Sequence, residues 1–295
     1  MKAEMKRALV REAKGVVWTL PALFFLILFT LYPMVSAVIT SFYNWSLTGR
    51  KKYIGFYNYQ KLFQKAEIWE TIGRTVQYVI YILPATLIVG FLLALLLKKS
   101  SKLNVFFRTL IFTPRVSSMV AISMVWMFIY NPQYGLLNNI LGLFGILPVR
   151  WLNETSTALL SLCIIAIWRM VGYSSVVFLG GIQNISEEVL EAATIDGANA
   201  MQTIWHITLP LTTPTAFMLM ILNTIEILKM FTTINVMTQG GPAMSTTNLV
   251  VMLYEYAFRR SQVGYASAIA LVLFILILSI NLVQMALERF VSYDN

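Results

Sequence analysis

Three charged side chains interrupt long apolar segments of this 295-residue chain: Arg169, Glu226 and Lys229. A charge at the centre of a bilayer costs roughly 2.5–3.5 kcal/mol on insertion scales, so such residues usually pair or line a polar cavity. Glu226 and Lys229 are three positions apart, which makes them neighbours on one helix face. The spacing favours an ion pair between them. The alternatives are that they line a solute pathway or contact a partner chain.

The composition excludes several other kinds of chemistry. The chain is 58% hydrophobic and 12% charged, with a mean hydropathy of +0.72, whereas a soluble domain carries about 25% charged residues. Cys163 is the single cysteine and His206 the single histidine, so no disulfide framework, metal cluster or catalytic His/Asp/Glu cluster is expected. The net charge of +9 is spread between the apolar segments, which argues against nucleic-acid binding.

Six apolar segments are long enough to cross a bilayer, which requires about 20 residues each. They predict an all-α polytopic membrane protein with six transmembrane helices, at about 16–42, 75–97, 109–130, 157–181, 211–238 and 262–287. These helices form one domain, 16–290, between an N-terminal segment, 1–15, and a short tail, 291–295. Arg115 lies near the start of the third span, as a flanking charge.

Six spans place both termini on the same side of the membrane. The basic residues of segment 1–15 and of the short loop before the third span favour cytoplasmic termini. The opposite side also carries basic residues, so the count alone gives a weak bias. The basic start followed by an apolar run is also typical of a secretory signal peptide, but no small-residue cleavage site is evident and five spans follow.

The loop between the fourth and fifth spans reads EEVLEAATIDGANAMQTIWHITLP over residues 187–210 and contains no lysine or arginine. Ser186 is placed to cap a first helix whose opening turn is acidic. Asp196 and Gly197 predict a turn. In a second helix Met201, Ile204 and Trp205 share one face. Pro210 ends that helix. We therefore expect a rigid helix-turn-helix.

This loop resembles the EAA loop of the permease subunits of binding-protein-dependent ABC importers. The resemblance is carried by seven residues and by the nine-residue interval between Gly197 and Ile207: Glu191, Ala192, Ala193, Gly197, Ile207, Leu209 and Pro210. Glu188 and Asp196 belong to the same acidic element. The resemblance implies that loop 186–210 is cytoplasmic and docks into a groove of an ATPase subunit. The chain would then form the pore, and ATP hydrolysis would take place in the partner subunits. The lack of a phosphate-binding P-loop motif is consistent with this role.

Other fragments resemble the sugar-type branch of that family, which is related to the maltose and glycerol-phosphate permeases. They include residues 54–59, 239–242 and 264–268. The resemblance implies a prokaryotic cytoplasmic-membrane importer of sugars, and of oligosaccharides in particular. It implies a second homologous permease, two ATPase subunits that use ATP and Mg, and an extracellular solute-binding protein, with no cofactor bound by this chain. Glycerol phosphate or another polar solute is an alternative substrate. An ion-driven secondary transporter is an alternative of another class, for which broken helices would be expected.

A sugar site needs aromatic rings for stacking and amides for the hydroxyl groups. The fourth and fifth spans offer six such candidates for the substrate pathway: Trp168, Tyr173, Asn223, Phe231, Asn235 and Gln239. On a helix, Asn223, Phe231 and Asn235 share one broad face. Each of them is also compatible with ordinary packing between helices.

Overall fold

The computed structural model describes residues 18–46 and 49–291. In this part of the chain five helices are long and apolar enough to cross a membrane, and a bent pair of helices makes a sixth span if the pair is counted as one. They are Trp18–Thr40, Ala66–Leu96, the pair Lys102–Val116 and Met119–Ile129, Ala158–Gln183, Thr213–Met237 and Val263–Arg289. The prediction of an all-α polytopic membrane protein is confirmed. The predicted segment 1–15 and residues 292–295 of the tail lie outside the described residues.

Short elements connect the spans. The helical ones are Tyr57–Phe63, Leu136–Leu143, Glu187–Ile195, Ala200–Thr203, Leu209–Leu211 and Leu249–Tyr254. Three π-helical turns, Ile27–Leu31, Ile204–Thr208 and Glu255–Arg259, continue neighbouring helices. Two strands of two residues each, Tyr43–Asn44 and Lys52–Tyr53, pair antiparallel, with Tyr43 opposite Tyr53.

The described residues divide into two compact units, of which the first comprises 18–46, 49–64 and 253–271. In this unit the side-chain amide of Asn58 fixes the turn after the first span, because it donates hydrogen bonds to the carbonyl oxygens of Ser41, at 2.7 Å, and Tyr43, at 3.0 Å. Gly264, at the start of the sixth span, lies so close to this turn that a Cβ would come 1.9 Å from the Tyr43 carbonyl oxygen. The sequence fragments 54–59 and 264–268 therefore both pack against the turn that follows the first span.

The second unit comprises the described residues of 65–252 and 272–291. The second span, Ala66–Leu96, packs along the fourth span, Ala158–Gln183. Small residues allow the close approach, since a Cβ on Gly90 would lie 3.0 Å from the Cβ of Ser174. The second span extends beyond the predicted 75–97. The apolar window marks only the bilayer-crossing part, whereas the helix continues through Glu70 and Arg74, which form an i,i+4 ion pair at 3.4 Å.

The third span, predicted as a single segment over 109–130, is broken. The axes of Lys102–Val116 and Met119–Ile129 meet at 102°, with Ser117 and Ser118 between the two helices. The first half lies against the fourth span, where a Cβ on Gly172 would come 1.8 Å from the Ile111 carbonyl oxygen. Only glycine fits this contact.

The fifth span is also interrupted, because its helices Thr213–Leu228 and Thr232–Met237 are separated by three residues. The freed carbonyl oxygen of Met230 accepts a hydrogen bond from the side-chain amide of Asn248 at 2.6 Å. The second half, Thr232–Met237, packs against Met119–Ile129 of the third span. Both breaks therefore lie in neighbouring spans of one unit.

Candidate functional site

Glu226 forms the centre of a charged cluster within the spans. Its carboxylate accepts hydrogen bonds from Arg115 Nη1 at 2.6 and 2.5 Å and from Arg169 Nη1 at 2.5 Å. The three side chains are only 21–30% exposed, so the contacts are partly shielded from solvent. Arg115, Glu226 and Arg169 belong to the third, fifth and fourth spans, and the cluster joins all three.

The expected ion pair between Glu226 and Lys229 is wrong. Glu226 turns toward the two arginines, and the Lys229 ammonium makes no ion pair or hydrogen bond with any residue that the structure describes. The physical reason is competition for the carboxylate, because Arg115 and Arg169 together contact both Glu226 oxygens. A guanidinium is also more weakly hydrated than an ammonium, which favours it in a partly buried ion pair.

A cavity of about 380 Å³ opens beside this cluster. Its volume falls within the range of small-molecule sites. Four of the residues selected from the sequence line it: Arg169, Glu226, Lys229 and Phe231. The break in the fifth span supplies the Lys229–Phe231 edge, and Thr232 and Thr233 at the start of the next helix supply hydroxyl groups. Met119, at the break in the third span, completes that side of the lining.

The other five pathway candidates are not among the residues that line this cavity. Tyr173 lies beneath Arg115, with the guanidinium carbon 4.7 Å from the ring centroid. Asn223 is buried and donates to Ser174 Oγ at 3.1 Å. Trp168 packs edge-on against Trp126, with ring centroids 5.6 Å apart. For these residues, and for Asn235 and Gln239, contact with a solute stays a prediction.

Arg115 is the functional candidate that the sequence analysis undervalued. It was treated as a charge flanking the third span, yet it completes the site through Glu226. A signal was available, since a third basic residue in an apolar segment required a counter-ion and Glu226 was the one acid inside a predicted span. The break at Ser117–Ser118, two residues after Arg115, was not readable from composition.

Loop 186–210, here called the coupling loop, forms the expected helix-turn-helix, but the prediction that Pro210 ends the second helix is wrong. Helical structure continues from Ala200–Thr203 through the π-helical turn Ile204–Thr208 to Leu209–Leu211. The first helix, Glu187–Ile195, ends at Asp196, and Gly197 has a φ of +80°. That left-handed conformation favours glycine, and it reverses the chain between the two helices. Ser186 is at the N-cap position but its side chain makes no capping hydrogen bond. The cap that the structure does contain, unforeseen from the sequence, is the reciprocal box of Asn199 and Gln202 on the second helix.

The surface of the coupling loop is acidic and partly apolar. Glu187, Glu188, Glu191 and Asp196 are all exposed, as are Ala192 and Pro210, while Ala193 is buried. Ile207 and Leu209 are half-buried, at the transition into the fifth span. Large apolar side chains are also exposed, with Ile195 at 85% and Trp205 at 59%. Such exposed apolar area on a short rigid element is typical of a contact surface.

The fold and the charged cavity within its spans define a polytopic membrane protein of the transport type. Residues 86–293 match the family described as the binding-protein-dependent transport system inner membrane component, and the chain belongs to this family. It is therefore a multi-pass permease subunit of the inner membrane. This membership decides against an ion-driven secondary transporter, although the spans are broken.

Relatives match nearly the whole chain. A probable ABC transporter permease of Bacillus subtilis, YurN, is 37% identical, over 90% of this chain and 92% of its own. The trehalose/maltose transport system permease MalF of Thermococcus litoralis is 31% identical, over 95% of each chain. A crystal structure of a bacterial alginate ABC transporter contains a chain with a TM-score of 0.86 and 23% identity, covering 97% of this chain and 98% of that one. The last likeness confirms the fold.

Proposed function

We propose that this chain forms half of the translocation pathway of an ATP-driven importer of sugars, with oligosaccharides as the main substrates. The observation that carries the proposal is the set of relatives matched over most of their length. They include a multiple sugar-binding transport permease of Streptococcus mutans and an arabinooligosaccharide permease of Bacillus subtilis. The cavity beside Glu226 supports it, because one aromatic residue, Phe231, and two threonines, Thr232 and Thr233, line a space of small-molecule size.

The coupling loop is the proposed contact with an ATPase subunit. Its acidic, exposed surface suits a basic groove, and its apolar residues suit a packed interface. A short turn at Gly197 and a capping box at Asn199 keep the two helices rigid. A rigid element transmits displacement, whereas a flexible loop would absorb it. ATP and Mg would be used by the partner subunits.

The proposed assembly contains this permease, a second homologous permease, two ATPase subunits and an extracellular solute-binding protein. Both termini and the coupling loop would be on the cytoplasmic side. The alignment of the coupling loop with the fifth span supports a direct mechanical link, because Leu209–Leu211 leads into Thr213–Leu228 after a single residue.

We expect this chain to be inactive without its partners. Expressed with the solute-binding protein alone in proteoliposomes, it should give no ATP-dependent uptake of radiolabelled maltose, trehalose or arabinooligosaccharides. Addition of the second permease and the ATPase pair should restore uptake of at least one of them. ATP-dependent uptake by the lone chain would disprove the proposed assembly, and failure of the whole complex with a broad saccharide panel would disprove sugar import.

Reversing one charge of the coupling loop should weaken ATPase docking. Glu191 is exposed on an element without any basic residue except His206, so Glu191→Lys opposes a basic groove. We expect a roughly tenfold loss of ATPase co-purification, corresponding to about 1.4 kcal/mol. The control is Glu154→Lys, an identical change at an exposed position in the loop before the fourth span. Equal co-purification of the Glu191→Lys variant and the wild type would contradict the docking surface.

A further inference from the structure

The cavity beside Glu226 carries more positive than negative charge. Arg169 and Lys229 line it together with a single acid, Glu226, and Arg115, which is not a lining residue, shares the same carboxylate. The Glu226 oxygens are already occupied by the two arginines. Lys229 and one guanidinium charge therefore have no counter-ion among the described residues.

An excess cation inside a membrane span is costly unless an anion compensates it. The excess lies on side chains that line a cavity rather than in packed protein. We propose that this cavity binds the acidic group of the transported saccharide, a carboxylate, sulfonate or phosphate, through Arg169 and Lys229. This inference rests on the proposed function and names the substrate class for it.

Two cationic side chains are available for such a group. Arg169 lines the cavity, and among the described residues its guanidinium bonds only through Nη1, to Glu226. The Lys229 side chain is exposed, lines the cavity and has no partner among the described residues. Helix Met119–Ile129 begins at the same cavity, and its N-cap residue Ser118 makes no side-chain cap. The positive end of that helix adds to the attraction for an anion.

The remaining lining fits the saccharide part. Phe231 offers an aromatic ring, and Thr232 and Thr233 provide hydroxyl groups beside Lys229. A small inorganic anion would leave these groups unused. An acidic sugar would use the cations for its charged group and the ring and hydroxyls for the rest of its structure.

The charge of the cavity can be measured without knowing the substrate. In the complete importer in proteoliposomes, Cys163→Ala removes the buried thiol, and Thr232→Cys places one thiol in the cavity. The reaction rates of anionic sulfonatoethyl and cationic trimethylammonioethyl methanethiosulfonate are compared, normalised to the same pair of rates at exposed Thr155→Cys. We expect a normalised preference of about tenfold for the anionic reagent, because a nearby unit charge contributes an interaction of that order.

The preference should depend on Lys229. Lys229→Gln should reduce it several-fold, Lys229→Arg should keep it, and Lys98→Gln, which removes an exposed lysine at the end of the second span, should leave it unchanged. Glucuronate should slow the reaction at Thr232→Cys more than glucose at equal concentration, and Lys229→Gln should abolish this difference.

A normalised preference of one or less in the assembled importer would overturn the inference, because the cations would then be neutralised by another subunit. Lack of reaction with both reagents, in the resting and in the vanadate-trapped importer, would also overturn it, since the cavity would be closed to solute. Both results leave the proposed function standing if saccharide uptake persists. Conversely, an importer that moves no saccharide but keeps the anionic preference would refute the proposed function alone.

Discussion

Glu226→Gln should destabilise the permease more than any other single change in the charged cluster. The substitution leaves Arg115 and Arg169 facing each other without a carboxylate, in a setting where all three side chains are at most 30% exposed. Removing one partner from a fully buried pair costs about 3–5 kcal/mol, and partial exposure reduces this to about 2–3 kcal/mol. We expect a lower midpoint of heat-induced aggregation for the purified importer, together with loss of uptake.

Two controls separate charge pairing from simple loss of a side chain. Lys229→Gln removes a charge from the same cavity without breaking an ion pair, so the aggregation midpoint should not fall. The triple change of Arg115, Arg169 and Glu226 to methionine strands no charge and should recover much of the lost stability, although not transport. A triple variant less stable than Glu226→Gln would show that the cluster contributes through something other than charge compensation.

Gly197→Val should abolish the coupling of ATP hydrolysis to transport while leaving membrane insertion intact. Gly197 has a φ of +80°, and a Cβ at this position would meet no atom within 4 Å. Steric conflict with neighbours is therefore absent, and the effect comes from the backbone alone. A left-handed conformation costs an L-residue about 1–2 kcal/mol, and a β-branched residue more. The turn would relax and re-aim the two helices, and we expect at least a roughly tenfold loss of substrate-stimulated ATPase activity.

Gly197→Asn is the matched variant, because asparagine tolerates the left-handed region far better than valine. It should retain most of the stimulated activity, and Ala198→Val should also do so, since Ala198 has no positive φ. Membrane insertion is checked by extraction of the protein from washed membranes. Equal activities of the valine and asparagine variants would mean that the turn geometry does not transmit the ATPase signal.

The positions of the spans and the coupling loop could be read from the sequence because each depends on local pattern. An apolar stretch of 20 residues and a glycine between two amphipathic segments are features of neighbouring residues. The partner of Glu226 could not be read in the same way. Lys229 was chosen because it is close in sequence, whereas Arg115 is 111 positions away and meets Glu226 only through tertiary packing.

The two helix breaks also could not be predicted from the pattern of neighbouring residues. Neither break contains a proline, and the nearest, Pro114, precedes the break of the third span by three residues. Ser117 and Ser118 are compatible with a continuous helix by propensity. The first half of the third span is held in place by the contact of the Ile111 carbonyl with Gly172. Because Gly172 belongs to the fourth span, the sequence of the third span does not reveal this contact. The capping box at Asn199 was not predicted because only Asp196-Gly197 was interpreted as the turn signal.

The two breaks have a further consequence for the mechanics of opening the cavity. The first halves of the third and fifth spans are tied to the fourth span through Glu226, and the second halves pack on each other. Rotation of one set against the other could leave the hydrogen bonds within each helical half intact, because the helices are already discontinuous at those levels. The barrier to such a rotation is then set by side-chain contacts and by the hydrogen bond from Asn248 to Met230. Each of these interactions contributes a small free energy and can break separately. We therefore expect that only a small force on the helices is needed to open the cavity of this permease.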